Sequence, residues 1–237
     1  MITNSRIDRL GETLRSSVID ANSLRDLEDF RSQFAASYRY VEDILTEKMG
    51  LTITGRPSKS TVAIVEKLKR ETIRLSQMQD IAGCRILVPA LRHQNYCLEN
   101  IRVFFGDVEV DDKRLLPTNG YRAVHVILRR NGRPVEIQVR TSLQHFWAEI
   151  SEKLADAFGH EIKYGKGDDV AIKFLNDLSM VTAKLEELRN EKLILSRKKS
   201  AQGKSKEIVR AAKLLSEKER ECIRRINSLF SGKLPVS

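Results

Sequence analysis

Apolar side chains recur at helical spacing along the first fifth of the chain. Ile7, Leu10, Leu14 and Val18 share a face over residues 5–18. Leu27, Phe30, Phe34, Tyr38, Val41 and Leu45 do the same over residues 24–48. That recurrence predicts two amphipathic helices, the second ended by Gly50. Thr54-Gly55-Arg56-Pro57-Ser58 reads as a loop, and Ser60 or Thr61 caps a third helix running to Leu75.

The period then changes. Cys84–Val88 is a short apolar run stopped by Pro89, which predicts a buried strand. Residues 93–105 predict a helix with Tyr96, Leu98 and Ile101 inward, and Val108 and Val110 alternate with charge as an edge strand does. Asp111 to Gly120 is a polar loop. Tyr121–Arg130 and Arg133–Thr141 are rich in strand formers and joined by Asn131-Gly132, a hairpin signal because both turn residues need positive φ. Ser142 is placed to cap a helix whose Leu143, Phe146, Trp147, Ile150 and Leu154 share a face. Beyond Gly167 the pattern gives a helix, a break near Ser200–Lys204, and a second helix.

A two-residue turn fixes the hairpin register. Val124, Val126, Leu128, Val135, Ile137 and Val139 then form the core face. Tyr121, His125, Glu136, Gln138 and Arg140 form the other. A wet antiparallel face explains polar residues there. It does not explain an aromatic, an imidazole, a carboxylate, an amide and a guanidinium on one patch.

Composition narrows the class. The chain has 237 residues, 41% hydrophobic and 31% charged, with no apolar stretch near the roughly 20 residues of a membrane span and no apolar N-terminal run of the secretory kind. Cys84, Cys97 and Cys222 are odd in number and form no CxxC pair, which fits a reducing, cytoplasmic setting and excludes a zinc site of the usual spacing. The net charge of +10 predicts a polyanionic partner. Arg189 to Arg225 holds 13 basic and 5 acidic residues, so most of that excess lies near the C-terminus.

Phosphate chemistry needs cations and a metal. Lys59 and Lys67 fall on one face of the third helix, behind Arg56 on its loop, and form a candidate polyphosphate cradle. Magnesium takes one or two carboxylates, with phosphate and water completing its shell. Glu136 and Asp80, just before the buried strand, are the candidates. Taken singly, such a lysine row is a solvated face and such an Asp is a turn residue.

Together the pieces resemble the RelA/SpoT-type synthetase domain from residue 40 to residue 165. The carrying segments are Gly55-Arg56-Pro57-Ser58-Lys59 with Lys67, Asp80-Ile81-Ala82-Gly83-Cys84-Arg85, Asn119-Gly120-Tyr121-Arg122-Ala123-Val124-His125 and Glu136-Ile137-Gln138-Val139-Arg140-Thr141. The resemblance implies an α+β fold, a mixed β-sheet of about five strands wrapped by helices and related to nucleotidyltransferases. It divides the chain into N-terminal helices (1–50), a synthetase core (51–167) and a basic C-terminal helical extension (168–237). It implies transfer of the β,γ-diphosphate of ATP to the 3′-hydroxyl of GDP or GTP, with Mg2+. Arg56 and Arg85 would bracket the adenine, and Lys59 and Lys67 would hold the ATP phosphates. Asp80 and Glu136 would bind the metal, Glu136 also activating the hydroxyl. Tyr121 would stack on the acceptor base, with His125, Gln138 and Arg140 shaping its pocket.

Three departures from that pattern stand out. An extra residue separates Arg56 from Lys59, Ala63 replaces a usual Ser, and Leu115-Leu116-Pro117-Thr118 lacks the cation that synthetases of free guanosine nucleotides carry before the Tyr. The chain has no His-Asp dipeptide, and no hydrolase half is expected. The last departure and the basic tail point to an alternative acceptor, the 3′ end of tRNA, as in the toxin members. A non-catalytic RNA-binding relative would have lost Asp80 or Glu136. The expected partners are ATP and GDP/GTP, with tRNA under the alternative and no membrane. The C-terminal helices are candidate contacts for a second copy or an antitoxin.

Overall fold

The computed structural model describes residues 3–16, 19–202 and 205–231. Eight α-helices and five β-strands occur among them: α1 (Asn4–Arg15), α2 (Ala21–Ser32), α3 (Ala35–Asp43), β1 (Ile53–Arg56), α4 (Thr61–Arg70), β2 (Ala82–Val88), α5 (Leu91–Phe105), β3 (Glu109–Asp112), β4 (Val124–Arg130), β5 (Arg133–Thr141), α6 (Ser142–Phe158), α7 (Asp169–Gln202) and α8 (Lys206–Ser231). The strands form one mixed sheet in the order β1-β2-β5-β4-β3, the α+β architecture expected. Among the described residues no helix is long and apolar enough to cross a membrane.

The chain divides into two compact units. The first comprises Met1–Ile86, Glu99–Asp111 and His125–Val139, the second Leu87–Leu98, Asp112–Val124 and Arg140–Ser237. In the first, Ile7, Leu14, Leu27, Val41, Leu45, Ile64, Leu75 and Ile81 are buried with Val126, Val135, Ile137 and Val139 from the inner hairpin face. In the second, Trp147, Ala148, Leu154 and Ala155 of α6 pack with Ile162 and with Ala171, Phe174, Leu175 and Leu178 of α7. The indole N–H of Trp147 donates to the Leu175 carbonyl at 2.8 Å.

The hairpin forms as read. Asn131 and Gly132 have φ of 50° and 72°, the left-handed values that a twist-matched two-residue turn needs. Its first strand starts at Val124, because Tyr121 pairs only with Thr118 in an isolated bridge.

Elsewhere the structure corrects the sequence reading. Residues 24–48 are not one helix. The N–H groups of Gln33 and Phe34 bond to carbonyls three residues back, at 3.3 and 3.1 Å, and this tightened turn separates α2 from α3. The Phe30 and Phe34 rings meet edge to face at 5.2 Å, and the Arg133 guanidinium sits 5.4 and 5.5 Å from their centres. A π-helical turn over Ile44–Lys48 follows α3.

The third helix stops at Arg70 rather than Leu75. Arg15, from α1, donates to the carbonyls of Leu68 at 2.7 Å and Glu71 at 3.1 Å, and so caps that end from a distant segment. Residues 54–56, read as loop, belong to β1, which pairs antiparallel with β2: Ile53 with Ile86, Thr54 with Arg85, Gly55 with Cys84, Arg56 with Gly83. Tyr96 is 66% exposed, because the buried face of α5 runs through Gln94, Cys97, Leu98 and Ile101. The cap of α6 is Thr141, whose hydroxyl accepts from the Gln144 N–H at 3.2 Å while the Gln144 side chain accepts from the Thr141 N–H. Val18, assigned to the first helix, and Gly203-Lys204, assigned to the late break, lie outside the described residues.

Candidate active site

In the first unit, β1, β2 and β5 line an open cleft of about 230 Å³. Its lining is Thr54, Gly55, Arg56, Asp80, Gly83, Cys84, Arg85, Glu136 and Gln138. Five residues singled out from the sequence therefore come together there: Arg56, Asp80, Arg85, Glu136 and Gln138. The β1–β2 register explains the arginines. Arg56 opposes Gly83, and Arg85 lies two residues further along the same face of β2, so the guanidinium-bearing residues are diagonal neighbours.

Lys59 and Lys67 join this group through Asp80. The Lys59 ammonium lies 2.6 Å from Asp80 Oδ2 and that of Lys67 2.9 Å from Oδ1. The backbone N–H of Lys59 donates to the Ile81 carbonyl at 2.6 Å, which fixes its loop beside the acid. The extra residue after Arg56 thus does not remove Lys59 from the group. Burial alone would raise the Asp80 carboxyl, but the charges and hydrogen bonds of Lys67 and Lys59 outweigh it and hold Asp80 down at about 2.

His125 joins through Glu136. Nδ1 of His125 is 2.8 Å from Glu136 Oε1, and the Gln138 amide donates to Oε2 at 2.6 Å. Burial pushes the Glu136 carboxyl up, yet His125 and Gln138 bring it below its ordinary value, against a small upward push from the Asp80 charge. Both acids are consequently anionic at neutral pH. The sheet face around them is not freely solvated, since Ile127 is buried on it.

Tyr121 and Arg140 belong to the second unit. The Arg140 guanidinium donates to the Tyr121 hydroxyl at 2.9 Å and lies 5.1 Å from its ring centre. Two other cations of this region are tied internally. Arg114 bonds to Asp112 and to Asn95 at 2.6 Å. Arg122 donates to Ser179 at 3.2 Å and to the Arg114 carbonyl at 2.6 Å. Nearby, Thr141 donates to Glu186, a carboxyl that burial raises.

The sequence reading missed Thr54, Gly55, Gly83 and Cys84 as cleft residues. Glycine inside a strand marks a close approach of backbones, and that signal was available at Gly83. A Cβ there would stand 2.9 Å from the Glu136 carbonyl oxygen and 3.5 Å from its Cβ. Gly83→Ala is therefore expected to force β2 from β5 and cost roughly 1–3 kcal/mol, as overpacking does. Urea unfolding measures this, and a variant as stable as wild type would refute the close approach.

The acid pair fits a hard divalent cation, which wants oxygen ligands and accepts one or two carboxylates. Among the described residues no cluster of three or more His, Cys, Asp or Glu exists that would hold a metal unaided, so phosphate or water oxygens would complete any such shell.

Residues 55–165 match the family described as the region found in RelA / SpoT proteins. An uncharacterized protein of Mycobacterium tuberculosis is 35% identical over 169 residues, 68% of this chain and 62% of that protein. The chain thus spans less than two thirds of that relative. The GTP pyrophosphokinase of Haemophilus influenzae is 30% identical over 123 residues, 47% of this chain and 16% of that protein. Small alarmone synthetase 1 from Bacillus subtilis shares the fold with a TM-score of 0.52 and 26% identity, over 73% of this chain and 96% of that one. A structure of the same protein bound to its product pppGpp gives the same figures. The motifs, the five-stranded sheet and these relatives converge on one likeness: residues 55–165 are similar to the region found in RelA / SpoT proteins.

Proposed function

We propose that the chain is a pyrophosphokinase that transfers the β,γ-diphosphate of ATP to the 3′-hydroxyl of GDP or GTP. The single observation that carries this reading is the pair of ionised carboxylates, Asp80 and Glu136, lining one cleft with Arg56 and Arg85. The guanosine acceptor is supported by the GTP pyrophosphokinase relative and by the pppGpp-bound small alarmone synthetase.

In the reaction, the acceptor O3′ forms a bond to the β-phosphorus of ATP. The bond from that phosphorus to the α,β-bridging oxygen breaks, and AMP leaves with the electron pair. Such transfers depend on alignment and charge neutralisation more than on covalent help. Arg56 and Arg85 bind the donor, and Lys59 and Lys67 hold its phosphates. Glu136 accepts the hydrogen bond of the 3′-hydroxyl and takes its proton as the bond forms. His125 and Gln138 keep that carboxylate ionised and oriented. Tyr121 stacks on the acceptor base, and Arg140 steadies the ring. Mg2+, held by Asp80 and Glu136 when bound, neutralises charge on the phosphates. Both Asp80 oxygens are engaged by lysines. Phosphates that draw those ammonium groups away free the acid, so metal and nucleotide are expected to bind together.

A second reading keeps the chemistry and changes the acceptor to the 3′ end of tRNA. The observation in its favour is that Arg114 and Arg122 are engaged within the protein. They therefore offer little to the 5′ phosphates of a free nucleotide. Incubation with β,γ-labelled ATP, Mg2+ and GDP, GTP or bulk tRNA separates the readings. Label in a guanosine nucleotide supports the first and label on tRNA the second. No transfer to any of them defeats both.

Tyr121→Ala is expected to raise the acceptor KM roughly tenfold, the loss of one stacking contact of about 1–3 kcal/mol, with kcat less affected. Tyr121→Phe should restore most of it, since the ring stays and only the Arg140 hydrogen bond is lost. An unchanged KM in the alanine variant would remove the stacking role.

A further inference from the structure

The distal parts of α7 and α8 have a charge pattern that the reaction does not use. Among the described residues, the last buried one of α7 is Leu188, and α8 has none. Near its return to the second-unit core, α8 is anchored: Phe230 lies 5.4 Å from Phe174 and 6.0 Å from Phe146, and Ile226 and Leu229 pack there too. Between these points the two helices pack on each other as an antiparallel arm.

Charge is segregated along that arm. At its base acids are interspersed with the cations: Arg189 and Lys192 meet Glu219 at 3.1 and 2.6 Å, and Arg224 meets Glu221 at 2.5 Å. Towards its end, the described residues of 193–216 hold six cations and one acid, Glu207. Arg197, Lys198, Lys199, Lys206, Arg210 and Lys213 are exposed, and none enters a salt bridge among the described residues.

A merely solvated helix pair intersperses both signs. Here Lys206 and Arg210 are four residues apart, and Arg210 and Lys213 three, spacings at which like charges disfavour the helix. The arrangement weakens the arm and calls for an external anion.

We propose that this arm docks on the phosphate backbone of double-stranded RNA. Residues 175–229 contain no Phe, Tyr or Trp. That removes the stacking platform on which unpaired bases bind and the aromatic anchors of a membrane interface. Two packed helices, each about 10–12 Å across, are too wide together for the roughly 12 Å major groove of B-DNA. A basic helix pair of that breadth fits instead over the wide, shallow minor groove of an A-form duplex, flanked by two phosphate rows. This surface goes beyond the proposed reaction and does not depend on it.

Electrophoretic mobility shifts with a blunt RNA duplex of about two turns, the same strand unpaired, and the matching DNA duplex test it across a salt series. The expected result is tightest binding to duplex RNA, with log K falling against log salt at a slope of roughly −5 for about six phosphates. The triple variant Lys198→Glu, Lys199→Glu, Arg210→Glu should bind at least tenfold more weakly and lose about three from that slope. Circular dichroism reports whether its helices remain. The Gln version at the same positions should show an intermediate loss. Neither variant should alter transfer to a free nucleotide, so loss of that activity in the wild type would defeat the proposed reaction and leave this test intact. Wild-type RNA affinity in the charge-reversed variant overturns the proposal. So does equal or tighter binding of the single strand or the DNA, or retention on phosphatidylglycerol vesicles without RNA binding.

Discussion

Glu136→Gln is expected to lower diphosphate transfer by roughly 10³-fold, the scale of losing a positioned proton acceptor and its charge together. The amide is isosteric, and Glu136 is a partly buried strand residue whose backbone stays paired, so the fold should survive. Its local bonds will change. The His125 contact at 2.8 Å and the Gln138 bond at 2.6 Å are made to a carboxylate, and a neutral amide cannot accept both with the same strength. The expected signature is therefore a collapse of kcat with little change in thermal stability. Initial rates and a melting curve on one preparation measure it. Wild-type rates would remove Glu136 from the chemistry.

Asp80→Asn should damage both activity and stability. Activity should fall by roughly 10²–10³-fold, since charge neutralisation beside the phosphates is lost. Stability should fall because Lys59 and Lys67 lose their counter-ion. The sign follows from the depressed carboxyl. Its folded value is about 2, below the unfolded 3.9, so its contribution is fully present above the unfolded value and is lost as pH falls through the folded one. A shift of this size corresponds to roughly 2–3 kcal/mol. The side chain is 17% exposed, which limits solvent screening. The stability gap between wild type and variant, read by urea unfolding, should be constant from pH 7 to about 5 and close towards pH 2. A gap independent of pH would show that the Asp80 carboxyl is not depressed in the folded protein.

Much of this site was legible in the sequence because it sits on a hairpin. Asn131-Gly132 admits one turn geometry, the turn fixes the register, and the register assigns His125, Glu136 and Gln138 to one face. Asp80 was legible only alongside the other motifs, since an Asp before a strand has several ordinary explanations. What stayed hidden has long-range causes. The end of α4 is set by Arg15, 53 residues from its Leu68 partner. β1 is four residues long and contains glycine, so no periodicity marks it. It becomes a strand by pairing with β2. Its Gly55 is required because Cys84 and the Tyr38 hydroxyl crowd the space where a side chain would project. The burial that raises the Tyr38 hydroxyl, with help from Glu42, is likewise a tertiary effect. The outward turn of Tyr96 follows from a shift of the buried α5 face by a fraction of a turn, which apolar spacing alone did not resolve.

The central claim is that Asp80 and Glu136 act on one divalent ion together with the nucleotide. The most direct measurement is Mn2+ binding, followed by electron paramagnetic resonance with a non-hydrolysable ATP analogue, for wild type, Asp80→Asn, Glu136→Gln and the double variant. Two ligands of one ion must couple, so each single change should remove most of the bound metal and the double change little more. Wild-type metal binding in both single variants, or independent losses that simply add, would contradict the account.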